Sequence, residues 1–135
     1  MGYKIMKRYY FNKLIRSKLP ERMNKEGIKV VGRHLNHQEF ALELKNKLIE
    51  EANEARETDS RELLVKELSD VMEVIESMML AYDIGQEELR NEQINKRETN
   101  GIFLPENFVD YIEVPSDNHK LVEYLANRNR PYKFS

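Results

Sequence analysis

The sequence predicts an all-α protein, and three features carry that prediction. Residues 38–56 place Phe40, Leu44, Leu48 and Ala55 at the three-to-four spacing of one helical face. Residues 63–79 hold Leu63, Leu64, Val65, Leu68, Val71, Met72, Val74, Ile75, Met78 and Met79, so that a helix there is apolar on most sides and belongs at a centre. Charged residues make up 34% of the chain and aromatics only 9%, the balance of a soluble and largely helical protein. The expected architecture is an antiparallel helical bundle with a short extended N-terminal arm and a small irregular C-terminal region.

Each element follows in chain order. Residues 1–35 form the basic arm, expected to pack on the core, and lack helical periodicity until "LIRSKLPERMNKEG". There Pro20 is placed to open a short helix and Gly27 to close it. "IKVVGRHL" reads as a short strand or an extended segment. The helical core is expected over 36–114. Asn36 can cap its first helix, and Glu39 completes a capping-box pattern; that helix runs to about Arg56. Asp59 and Glu62 form a second capping-box pattern for a helix from about Ser60 to Ile84, ended by Gly85. "QEELRNEQINKRET" is a third, polar helix. "GIFLP" and "FVDYIEV" look extended, as a hairpin or an arm. Residues 115–135 are a C-terminal extension in which "NHKLVEYLANRNRPYKFS" has room for one or two helical turns before a basic, aromatic end.

Length and composition narrow the classes. A chain of 135 residues is most simply one domain. It has no cysteine, which excludes disulfides, thiolate catalysis and Cys-zinc sites. No apolar run approaches the roughly 20 residues of a membrane span. "MGYKIMKRYYF" has no apolar stretch and no small-residue cleavage site, so no signal peptide is read and the cytoplasm is the expected compartment. The net charge of −2 conceals a division: +8 over residues 1–35 and −10 over the remainder. Such an arm binds a polyanion, or it folds back on the acidic body and completes a site for an anion held by metal.

The body's acids raise the functional question. Glu51 interrupts the stripe begun by Phe40, Leu44 and Leu48, with Glu54 three residues on. Glu67 and Asp70 repeat that spacing inside the most apolar helix. Residues three apart share a helical face, and the short "ETDS" link makes the two helices antiparallel neighbours. Four carboxylates then converge, and unpaired they would repel one another. A hard divalent cation relieves that conflict: Mg2+ takes oxygen ligands and bridges to phosphate. For either pair alone, the alternative of a solvated helical face stays open. Glu50, Glu57, Glu62, Glu73 and Glu76 read as surface or flanking charges.

"EEANE", followed after twelve residues by "ELSDVMEVI", resembles the E-x-x-E…E-x-x-D pattern of the all-α nucleoside triphosphate pyrophosphohydrolases, the superfamily of MazG, dimeric dUTPase and phosphoribosyl-ATP pyrophosphohydrolase. "FNKLIRSKLPE" is similar to the K-L-V-R-D-K-I-P opening of one small MazG-like, phosphoribosyl-ATP pyrophosphohydrolase-like branch. "YDIGQEEL" and "KRETNGIF" resemble its downstream segments, so the likeness covers about residues 10–114. It departs at Ser17, where the branch usually has Asp, and at "ETNGIF", where only Gly101 and Phe103 match a usual R-G-G-F.

The resemblance implies a MazG-like helical bundle, usually oligomeric, as a dimer or tetramer, that cleaves between the α and β phosphates and releases pyrophosphate. Carried onto this chain, it makes Glu51, Glu54, Glu67 and Asp70 the ligands of Mg2+, with Mn2+ as a substitute ion. Glu54 or Glu51 would also take the catalytic role of orienting or deprotonating water. Lys13, Arg16 and Lys18 would hold phosphate oxygens, with Lys96 and Arg97 as further candidates. The expected role is nucleotide-pool house-cleaning on a small-molecule nucleotide, without membrane or nucleic-acid partners. Phosphoribosyl-ATP is the alternative substrate. Two other classes compete: a non-catalytic helical module that binds nucleotide or nucleic acid through the +8 arm, and an interaction protein whose acids are only surface charge.

Other residues read more plainly. His34, His37 and His119 have no ligand spacing and are expected at the surface. Met72, Met78 and Met79 are packing residues. In "RYYF", Tyr9, Tyr10 and Phe11 are expected to pack on the body, with base stacking as the other reading.

Overall fold

The computed structural model describes residues 4–127, and the basic, aromatic end at 128–135 lies outside them. Among the described residues there are five helices and no strand. Two compact units divide the chain, residues 1–86 and 87–135.

The first unit opens with the arm. Helix α1 (Leu19–Lys25) starts at its proline and stops at a Schellman turn. Gly27 sits at φ +77°, its N–H donates to Asn24 O, and Ile28 N–H donates to Met23 O. "IKVVGRHL" stays extended without a ladder partner. Tyr9 and Tyr10 are each 75% exposed, which corrects the expectation that they pack on the body; Phe11 is exposed too, beneath the Lys13 ammonium. The arm is attached farther along, where Leu14 and Ile15 are half-buried.

Helix α2 (His37–Arg56) begins with the capping box. Asn36 Oδ1 accepts from Glu39 N at 2.8 Å, and the Glu39 carboxylate accepts in return from Asn36 N. Arg33 grips the same carboxylate at 2.9 Å and 3.4 Å, holding its pKa below the usual value. Helix α3 (Arg61–Ala81) is capped by Ser60, whose Oγ accepts from Leu63 N at 3.2 Å, rather than by Asp59. A one-residue shift of the start leaves Glu62 too early to complete a box. The far end also comes early. Asp83 takes a left-handed φ of 53°, and Ile84 N–H donates to Met79 O, so the stop is made two residues before Gly85.

α2 and α3 pack as an antiparallel hairpin, because the Tyr82 hydroxyl after α3 donates to Ala41 O near the start of α2. Ala41, Leu44 and Val74 are the buried apolar residues between them. Burying one Leu side chain such as Leu44 contributes about 1.5–3 kcal/mol. The rest of the apolar run on α3 is not central in this chain: Leu64, Leu68 and Met72, spaced by four, remain exposed on another face.

The second unit holds all but the first residue of the polar helix α4 (Gln86–Asn100), which ends at Gly101 in a left-handed turn, and α5 (His119–Ala126), capped by Asn118. "GIFLP" and "FVDYIEV" lie between them without strand pairing. His34, His37 and His119 are exposed. Among the described residues no helix is long and apolar enough to cross a membrane.

Candidate metal centre

The hairpin decides the geometry of the acids. Glu51 and Glu54 lie one turn apart on α2, and Glu67 and Asp70 one turn apart on α3. A four-residue link returns α3 alongside α2, with Thr58 Oγ1 donating to Ala55 O to tighten the bend. One carboxylate oxygen from each of Glu51, Glu54, Glu67 and Asp70 then falls within 4.8 Å of the other three.

Their environments differ in a useful way. Glu51 is buried at 7% exposure, Glu67 and Asp70 are half-buried, and Glu54 is exposed. Oε2 of Glu51 and Oε2 of Glu67 are shielded from water, and neither accepts a hydrogen bond from the described residues. Buried oxygens of this kind are costly unless something pairs with them. Burial pushes the Glu51 carboxyl above its usual pKa, and Glu54 beside it pushes further; Asp70 adds to the rise while Lys47 opposes it. Glu67 is raised by the same first cause, then by Glu54 and Asp70. Crowded acids with orphaned oxygens form an all-oxygen donor set that could hold a metal ion.

The arm meets the acids from one side. Lys13 Nζ donates to Glu50 Oε1 at 2.7 Å, and that bond, with the nearby Glu54 and Glu51 charges, raises the lysine's pKa. Arg16 donates to Asp70 Oδ1 at 2.5 Å, so the guanidinium rests on one of the four clustered carboxylates. Through Lys13 and Arg16 the +8 arm touches the acidic body. Lys18 stands at the N-cap of α1 with its side chain exposed. Lys96 and Arg97 lie near the end of α4 in the second unit, both exposed.

Two more residues matter here: Glu50, which the sequence reads as a surface or flanking charge, and Lys47, which it does not single out. Glu50 is half-buried and receives both Lys13 and Lys47, the latter at 2.9 Å; burial works against its ionisation, but the two ammonium groups outweigh it and its pKa is lowered. Lys47 also pairs with Glu51 Oε1 at 3.5 Å. The signal was present in the sequence, since Lys47 precedes Glu50 and Glu51 by three and four residues, the spacing of helical ion pairs. Beside the acids an open cleft of about 380 Å3 is lined by Asn53, Glu54, Glu57, Thr58, Leu63 and Glu67. No family profile, curated protein or solved structure matches the chain.

Proposed function

We propose that this protein is a Mg2+-dependent nucleoside triphosphate pyrophosphohydrolase with a MazG-like helical bundle. The observation that carries the reading is the convergence of four carboxylates from two antiparallel helices, two of them with buried oxygens that nothing among the described residues satisfies. Glu51, Glu54, Glu67 and Asp70 would hold the ion, which when bound would neutralise phosphate charge and favour attack by water. Glu54, the most exposed of the four, would orient that water or accept its proton. Water adds at the α phosphorus, the bond to the bridging oxygen breaks, and a nucleoside monophosphate and pyrophosphate leave.

The arm supplies positive charge to the substrate. Lys13 and Arg16 already stand against the acids, and Lys18 follows them at the head of α1. The open cleft beside Glu54 and Glu67 gives a small nucleotide room without requiring a polymer. Phosphoribosyl-ATP presents the same phosphoanhydride and is the alternative substrate. A homo-oligomer, dimer or tetramer, belongs to the proposal, and the exposed Leu64, Leu68 and Met72 row favours it.

The deciding experiment measures pyrophosphate release from a panel of canonical and modified nucleoside triphosphates and phosphoribosyl-ATP, with Mg2+ and with EDTA. Release that requires Mg2+ and leaves a monophosphate is expected, and Glu67→Ala or Asp70→Ala should abolish it. Full turnover in either variant would sink the assignment.

One observation favours a second reading, a non-catalytic module that binds nucleic acid. Arg8, Tyr9, Tyr10 and Phe11 are all exposed, as a stacking platform requires. That reading predicts binding that weakens steeply with salt and needs no Mg2+.

A further inference from the structure

The four clustered acids do not orient themselves. Glu51 is the most buried of them, and its two oxygens have different surroundings. Oε2 is buried without a hydrogen-bond partner among the described residues, while Oε1 lies 3.5 Å from the Lys47 ammonium. Lys47 is itself well covered, with 18% of its side chain exposed, and is anchored a second time by Glu50 Oε2 at 2.9 Å. Glu50 in turn spends its other oxygen on Lys13 of the arm, at 2.7 Å. Lys13, Glu50, Lys47 and Glu51 thus form a continuous clasp that runs from the arm to the deepest acid of the cluster.

A covered lysine beside four carboxylates has two readings with opposite consequences. As charge alone, its ammonium repels a cation and weakens metal binding. As a brace, it fixes one oxygen of Glu51 and leaves the other, the buried Oε2, open to a ligand. We propose that Lys47 is a positioning residue for the candidate metal centre: it restrains Glu51 through Oε1 so that the buried Oε2 is presented to a divalent cation, and through Glu50 it links that restraint to Lys13 of the arm. The proposal rests on the metal reading given above. The double anchorage supports the brace, because a lysine serving only to offset charge has no need of a second, closer carboxylate on its own helix. Groups that hold a ligand from outside the coordination sphere change metal affinity by about 10–100-fold when removed.

The test is Mn2+ binding to the full chain, read by the loss of the free-ion electron paramagnetic resonance signal, for the wild type, Lys47→Met and Lys47→Arg. Titrations are run well below each protein's unfolding temperature, with circular dichroism checking helical content. The brace predicts a Lys47→Met affinity about 10–100-fold weaker, with most of the loss restored in Lys47→Arg, which keeps a cationic donor of similar reach. Equal or tighter binding by Lys47→Met, the result that charge removal alone would give, overturns the proposal while leaving the metal centre standing. Failure of the wild type to bind Mn2+ overturns both. If Lys47→Met does not fold, Lys47→Gln carries the same reading, since its shorter amide does not span Glu50 and Glu51.

Discussion

Glu51 and Glu67 are harder to ionise in the folded chain than in the unfolded one, mainly through burial and then through Glu54 and Asp70. Between the ordinary value of 4.5 and the raised folded value, the folded state holds protons that the unfolded state has lost. Stability from these two groups therefore falls as pH climbs above 4.5. Glu50 has the opposite sign: its lowered pKa contributes stability above 4.5 that is lost as pH falls through the folded value. In EDTA, urea midpoints are expected to decline on the alkaline side of 4.5, and the decline should flatten in the Glu51→Gln, Glu67→Gln double variant. An identical decline in that variant would remove these acids as its cause. At this scale the four clustered acids were legible, because E-x-x-E and E-x-x-D spacing survives any error in helix ends. The Arg16–Asp70 and Lys13–Glu50 pairs were not, since they join residues 54 and 37 apart and depend on where the arm turns.

Among the elements, α2 was legible nearly to the residue, because its cap is determined by residues within one turn. Asn36 and Glu39 exchange hydrogen bonds, and Arg33 reinforces Glu39 from outside. Replacing Asn36 with Ala should cost about 0.5–2 kcal/mol, measured as a shift in urea midpoint. A change near zero would mean that Arg33 alone secures this end. The ends of α3 were misread for a reason that α2 did not pose. Asp59 and Ser60 are adjacent capping residues, and the choice between them depends on how the link lets α3 dock on α2. At the other end Gly85 looked like the stop, but Asp83 takes the left-handed position. A short polar side chain tolerates that conformation better than most, though not without strain. Asp83→Gly should relieve it and stabilise the chain by up to about 1 kcal/mol. Destabilisation would show that the Asp83 side chain holds the turn in a way its backbone does not reveal.

For the whole chain, the separation of charge and the thinness of the core act together. Residues 1–35 carry +8 and the rest −10, yet Lys13 and Arg16 offset only part of the acid charge gathered between α2 and α3. Ala41, Leu44 and Val74 are the only buried apolar residues among those described, so repulsion at Glu51 and Glu67 weighs against a small apolar contribution. A cation that binds the folded cluster and not the unfolded chain adds RT ln(1 + [L]/Kd), about 2.7 kcal/mol at one hundred times Kd. For a chain of this length that corresponds to roughly a 10 °C rise in Tm. Saturating Mg2+ or Mn2+ should therefore raise Tm, and EDTA should reverse the rise. Monovalent salt of matched ionic strength should raise it far less, because screening acts weakly on buried groups. The shift should disappear in Asp70→Asn. Because Arg16 already occupies Asp70 Oδ1, a bound ion must share that carboxylate or displace the guanidinium. Arg16→Gln should then bind the ion more tightly and show the larger thermal shift, while losing turnover if the freed arginine serves the phosphates. A wild type whose Tm ignores divalent ions would leave the four acids as surface charge and remove the physical basis of the proposed reaction.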